Sequence, residues 1–220
     1  MFKKLKPHFG KLGIILVAAI ILLVGSDLLT KYLEEQFFWN AKIIPGFIEI
    51  KSGVHNPGCA FSFLDENPEI GQPVLITLTF LFLAVLIFGF IFIPNRFVIF
   101  KVAVTLLISG AVGNLYDRLF MPFYVRDWFG LNMFGNMAYC NFADFWIVIG
   151  AVLAIIDLMF LNEWAVFPLT KSAKAAQAKK KEEENANRLG ENAAETEISE
   201  AEAETQSPEE KPLNEDKTYE

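Results

Sequence analysis

The sequence predicts a mainly α membrane protein: a bundle of four transmembrane helices, a small extracytoplasmic β-sheet resting on the membrane surface, and a disordered C-terminal tail. Three observations lead there. Four apolar runs are each long enough to cross a bilayer. One short stretch between the first two runs alternates apolar and charged residues as a strand does. And the charge is segregated: of the net −7 in 220 residues, −6 falls in Lys171–Glu220, which holds 8 basic and 14 acidic residues, leaving −1 for the body.

Composition excludes several classes of protein. With 53% hydrophobic residues, 22 Phe and a mean hydropathy of +0.35, the chain is too apolar for an ordinary soluble domain. Two cysteines, Cys59 and Cys140, are too few for a disulfide-built scaffold, although both adjoin polar motifs and a bridge between them stays open. Two histidines, His8 and His55, are far apart and form no cluster of metal-ligand spacing, so no metal and no cofactor are expected. The acidic balance argues against a nucleic-acid partner.

The elements follow in order. Residues 1–11 carry Lys3, Lys4, Lys6 and Lys11 and form a basic amino terminus. A cleaved signal peptide is one reading. An uncleaved span is preferred, because no small-residue cleavage site closes the apolar run and SDLLTKYL continues it helically. Leu12–Leu33 is then about 33 Å of helix against a hydrocarbon core of about 30 Å. The other spans are 74–93, without a charge and broken by Pro94-Asn95-Arg96, then 97–119 and 142–161. Together 12–162 make one membrane domain with loops 34–73 and 120–141, followed by a tail, 163–220.

Four spans put both termini on one side. Basic residues gather at the amino terminus, at Arg96 and Lys101, and at Lys171, Lys174 and Lys179–Lys181, which makes that side cytoplasmic. In the first outer loop, Phe47-Ile48-Glu49-Ile50-Lys51 alternates as a half-buried strand, and Phe37, Phe38 and Trp39 suit the interfacial belt. The tail has almost no side chains able to build a core. Its basic start suits anionic headgroups.

The polar residues of the body gather at the outer ends of the spans. Charged groups near lipid are costly and mark function by default. Asp27 and Lys31 share a helix face at i, i+4, either as a membrane ion pair or as a tie from the first span to a site. Asn114, Asp117 and Arg118, at i, i+3 and i+4, are either a polar lock between helices or a group that grips a carboxylate or carbonyl. Asn141 and Asp144 open the fourth span, where Asp144 is a simple cap or an anion stabilised by the helix N-terminus. Asp127 stands in the second outer loop. Two carboxyl groups at close range share one proton, so one can take a proton from water while the other polarises a carbonyl. Asp127 with Asp144 is the candidate pair. The segment 55–62, with Asn56, is a plain turn or a close backbone approach to that pair. His55 is read as surface or interfacial, and Asp157, about 20 Å down the last span, has no catalytic part. A transporter, a channel or a structural membrane subunit are the competing classes. A transport path calls for acids near mid-membrane, and here nearly all lie at one edge.

Five stretches, in order, carry a resemblance: Asp27-Leu28-Leu29-Thr30-Lys31, Asn56-Pro57-Gly58-Cys59-Ala60-Phe61, Gly113-Asn114-Leu115-Tyr116-Asp117-Arg118, Val125-Arg126-Asp127-Trp128 and Asn141-Phe142-Ala143-Asp144. They resemble the DxxTK, NxGxAF, GNxxDR, VxDF and FNxAD motifs of lipoprotein signal peptidases (signal peptidase II) over about residues 12–162. Cys59, Trp128, Cys140 and Ser109 depart from the residues usual in those motifs. The resemblance implies a bacterial inner-membrane aspartyl endopeptidase with its active site at the outer face. It would cleave signal peptides from diacylglyceryl-modified prolipoproteins on the N-terminal side of the lipidated cysteine, without cofactor and as a monomer. It implies Asp127 and Asp144 as the catalytic dyad, with Asn56, Asn114, Arg118, Asn141, Asp27 and Lys31 positioning substrate or dyad. Asp117 is the rival acid, ranked second because its neighbour Arg118 is expected to keep it ionised and structural.

Overall fold

A computed structural model describes residues 6–57, 68–121, 124–133 and 135–205, with side chains to residue 190. Its elements are α1 (Gly10–Phe37), β1 (Asn40–Ile44), β2 (Ile48–Asn56), α2 (Pro68–Phe92), α3 (Val98–Phe120), β3 (Val125–Met133), β4 (Asn136–Cys140), α4 (Phe142–Ile156) and α5 (Lys171–Thr205). A π-helical turn, Asp157–Leu161, continues α4. Among the described residues four helices are long and apolar enough to cross a membrane: Gly10–Phe37, Glu69–Phe92, Val98–Phe120 and Phe142–Leu161. Four is the number expected from sequence; the last has the expected bounds, and the other three differ at their ends by one to five residues.

Local chemistry explains where they stop. Phe38 takes a left-handed conformation (φ 47°) and closes α1 by donating its N–H to Glu34 O at 3.0 Å. Pro94 ends the chain's second crossing, since a proline has no N–H to continue a helix. Asn141 opens α4 with a reciprocal cap: its Oδ1 accepts from Asp144 N at 3.1 Å, while Asp144 Oδ2 accepts from Asn141 N at 3.0 Å.

The central helix is α3, which packs against α1, α2 and α4. Leu16 of α1, Leu83, Leu86 and Phe90 of α2, and Val104, Ile108, Ala111 and Leu115 of α3 form the buried core. Apolar side chains on the far faces, among them Leu22, Leu81, Val85 and Val148, remain exposed, as lipid-facing residues do. Small residues bring α3 and α4 together. A Cβ on Gly113 would lie 2.6 Å from Asp27 Oδ2 and 3.1 Å from Ala143 Cβ, so only glycine admits the Asp27 carboxyl there.

The α1–α2 and α3–α4 connections meet at one end of the bundle in a single antiparallel sheet of order β1-β2-β3-β4. The strand expected around 47–51 is part of β2. The second hairpin, β3–β4, falls where the sequence predicts only a loop. β2 pairs with β3 through Ile50↔Phe129 and Val54↔Asp127, with a bulge between these pairs that contains Gly53 at φ 74°. This bulge sets the register that puts Asn56 near Asp127.

Among its described residues the tail builds no core, as its composition predicts, and part of it is helical. Residues 171–205 form α5, rich in Ala, Glu and Lys, all strong helix formers. It contributes little to a core: Ala173 is buried, and Gln177 Nε2 donates to Ala165 O at the base, while residues 178–190 are exposed. Residues 206–220 lie outside the described residues, as do Gly58, Cys59, Ala60, Phe61 and Ser62 of the second motif, and with them any pairing of Cys59.

Candidate active site

Four elements converge at the sheet end of the bundle, and each delivers polar groups there. Asp127 comes from β3, Asp144 from the first turn of α4, Asn114 from α3, and Asp27 and Lys31 from α1. Asn141 joins them, standing between β4 and α4. Its Nδ2 lies 2.6 Å from Asp127 Oδ1, 3.1 Å from Asn114 Oδ1 and 3.2 Å from Arg126 O. Through its cap contacts the same residue holds Asp144. One buried asparagine therefore binds both acids.

Each acid has a second amide partner. Asn56 Nδ2 donates to Asp127 Oδ2 at 2.9 Å, and Asn114 Nδ2 donates to Asp144 Oδ1 at 2.8 Å. A carboxylate offers about four lone-pair sites. Two on each acid are thus engaged by amides, and the others face no described protein donor. Asp127 is 1% exposed. Burial, and then the charge of Asp144, push its carboxyl up to about 7, against the pull of the Asn56 and Asn141 amides and of the Lys31 charge. At neutral pH this acid can carry the proton of the pair.

Cys140 responds to the same field. Burial and the two nearby carboxylates push its thiol up to about 12, so it is a neutral S–H at physiological pH and no nucleophile. It is a free cysteine whose Sγ donates to Phe129 O at 3.4 Å.

Beneath the pair lies a fully buried ion network. Lys31 Nζ is 2.8 Å from Asp27 Oδ2, 3.2 Å from Asp117 Oδ2 and 3.1 Å from Asn114 Oδ1. Asp27 Oδ1 accepts from Ala143 N at 2.9 Å, which fixes the start of α4 to α1. The ion pair expected of Asp27 and Lys31 is formed, and it links α1 to Asn114 and Asp117 of α3 and to the start of α4. Asp117 is occupied elsewhere: its Oδ1 accepts from Arg126 Nη2 at 2.7 Å and Nε at 3.2 Å, and its Oδ2 from Arg126 N at 3.0 Å. Arg118 is half-buried and donates from Nη1 to Asn114 O at 3.5 Å.

The sequence alone assigns no part in the site to Arg126, Glu34 or Glu35. Arg126 Nη1 bonds Glu35 Oε2 at 3.0 Å, and Glu34 Oε2 accepts from Gly53 N at 3.2 Å in the β2 bulge. A signal is present for Arg126, a cation directly beside the candidate acid Asp127 and between apolar residues on either side of the two. His55 is exposed, as expected, and stacks on Tyr124 with ring centroids 3.9 Å apart. Asp157, also as expected, lies remote from the pair and accepts from Asn162 Nδ2 at 3.0 Å.

Comparison with known proteins gives the same picture from outside. Residues 19–160 match the family described as signal peptidase (SPase) II. The lipoprotein signal peptidase of Clostridioides difficile strain 630 is 32% identical over 150 residues, covering 66% of this chain and 95% of that protein. That of Sulfurihydrogenibium sp. is 35% identical over 148 residues, covering 66% and 87%. A solved bacterial membrane enzyme, determined by the in meso method at 2.3 Å, superposes with a TM-score of 0.56 at 27% identity, covering 71% of this chain and 92% of its own. The family match spans more than half the chain and the four crossings on which the polar cluster is built, and the chain belongs to the signal peptidase II family of aspartic peptidases.

Proposed function

We propose that this chain is the membrane endopeptidase that removes signal peptides from diacylglyceryl-modified prolipoproteins, cutting on the N-terminal side of the lipidated cysteine, with Asp127 and Asp144 as its catalytic dyad. The observation that carries this reading is Asn141, whose side-chain amide donates to the Asp127 carboxyl from β3 and whose main-chain N–H donates to the Asp144 carboxyl from α4, at a single point of the bundle end.

The chemistry follows from the donors. Asp127, protonated, donates to the scissile carbonyl oxygen and raises the electrophilicity of its carbon. Asp144, with both oxygens accepting from N–H groups, takes a proton from the attacking water as the C–O bond forms. In the tetrahedral diol the proton on Asp144 passes to the cysteine α-nitrogen, and the C–N bond breaks. Asp127 then recovers its proton from the diol hydroxyl as the new carboxyl group forms. The two acids titrate as one unit. Asn56, Asn114 and Asn141 hold them in register, which is how enzymes convert fixed geometry into rate.

Depth completes the reading. The basic ends of the helices favour the cytoplasm for both termini and the outer face for the sheet. A diacylglyceryl anchor held in the bilayer would then present the scissile bond at the level of the dyad, its chains lying against the exposed apolar helix faces. The test uses purified full-length chain in detergent with a prolipoprotein, with and without its diacylglyceryl group. Mass spectrometry should find a cut directly before the lipidated cysteine and little turnover of the unmodified protein. Equal turnover of both substrates, or a cut elsewhere, overturns the proposal.

A further inference from the structure

Five alternating charges run in sequence beneath the dyad: Glu35, Arg126, Asp117, Lys31 and Asp27. Their links are 3.0 Å from Glu35 to Arg126, 2.7 Å from Arg126 to Asp117, 3.2 Å from Asp117 to Lys31 and 2.8 Å from Lys31 to Asp27. The chain starts at a partly exposed glutamate and ends fully buried. It joins α1, α3 and β3, and through Asp27 it also reaches α4. Its two contacts to peptide N–H groups are not scattered. Asp117 accepts the N–H of residue 126, and Asp27 accepts the N–H of residue 143. These are the residues immediately before Asp127 and Asp144.

We infer that Arg126 is a positioning residue for the reaction: by gripping Asp117 with its side chain and main chain together, it fixes the backbone on which Asp127 stands. Alternation along β3 turns Arg126 away from Asp127, so it cannot reach the same water or carbonyl; it acts through the main chain. Both its peptide groups are engaged, the N–H with Asp117 and the carbonyl with the Asn141 amide that also binds Asp127. The forked guanidinium makes two contacts to one carboxylate and a third to Glu35, which an ammonium cannot reproduce. Without Arg126 the network would hold three carboxylates against one lysine. Lys31 would be drawn toward Asp117 and away from Asn114, which carries Asp144.

This inference rests on the dyad proposed above. Its test is steady-state cleavage of diacylglyceryl prolipoprotein by full-length Arg126→Met, Arg126→Lys and Glu35→Gln, with thermal unfolding followed alongside. A displacement of about 1 Å at reacting atoms costs about 100-fold. Arg126→Met should lose about that factor in kcat with KM nearly unchanged, the pattern of a group acting only on the chemical step. Arg126→Lys should recover part of the loss, and Glu35→Gln should show a smaller fall in kcat. A folded Arg126→Met with full kcat overturns the inference, as does a raised KM with kcat intact, which would make Arg126 a substrate-binding group. Should Arg126→Met not fold, a folded Arg126→Lys with full kcat overturns it equally, and one with lowered kcat and unchanged KM supports it. Active Asp127→Asn would instead remove the dyad itself, so the two failures are distinguishable.

Discussion

Replacing Lys31 by methionine removes the cation that pairs with Asp27 and keeps the length of the side chain. Lys31 is fully buried and holds three oxygens within 3.2 Å, on Asp27, Asp117 and Asn114. The losses are unequal. Asp117 keeps the Arg126 guanidinium, whereas Asp27 keeps, among the described residues, the Ala143 N–H, so one carboxylate is left uncompensated rather than two. Removing one partner of a buried pair costs about 3–5 kcal/mol. For a chain of this size that is a fall of about 6–20 °C in melting temperature. Tryptophan fluorescence of the purified protein during heating in detergent would read it. The double variant Lys31→Met/Asp27→Asn should recover most of the loss, because the amide that replaces the Asp27 carboxyl still accepts from Ala143 N and no bare charge remains. A single variant that melts within about 2 °C of the unchanged chain would refute the claim that this network holds α1 to α4.

Three more outcomes follow from the same geometry. The raised Asp127 carboxyl binds its proton more tightly in the folded chain than in the unfolded one; its stabilising contribution is full below about pH 4 and is lost as pH rises to about 7. Cleavage should fall above about pH 7 for the same reason, and a rate that still climbs to pH 9 contradicts the proton assignment. Gly113→Ala puts a methyl group on Asp27 Oδ2 and Ala143, so it should destabilise by about 1–3 kcal/mol in the same melting assay, whereas Gly25→Ala inside α1, where a Cβ meets nothing within 4 Å, should cost nothing and gain up to about 1 kcal/mol. Membrane-impermeant thiol labelling of intact cells should modify Gly135→Cys in the β3–β4 turn, with Cys59 and Cys140 replaced, and should spare Glu182→Cys until the cells are opened; the reverse pattern inverts the proposed orientation.

The four crossings are legible in the sequence because lipid imposes a length and an apolar composition that few other environments demand. The β2 strand is legible from Ile48 and Ile50, whose alternation marks a half-buried surface. β3 is not, because Val125, Arg126, Asp127 and Trp128 are all buried and the two-residue period vanishes when both faces are covered. The motif residues can be named one by one, yet their contacts cannot. That Asp117 is closed upon by Arg126 nine residues later depends on how β3 is set against the end of α3, which no local pattern encodes. Glu34 and Glu35 read as the polar end of a helix, and only the β2 bulge and the packing of β3 give them partners. In the tail, low hydrophobicity correctly argues against a core, while alanine and charged helix formers set the local backbone of α5.

Single-turnover cleavage of a diacylglyceryl prolipoprotein by Asp127→Asn and by Asp144→Asn, each shown by melting to be folded, decides whether these two carboxyl groups perform the hydrolysis. Both variants should lose about 10²–10⁴-fold or more in the chemical step, the range typical of proton transfer by a positioned acid or base. A folded variant of either kind that cleaves within about tenfold of the unchanged chain would show that the reaction does not run through the pair held by Asn141.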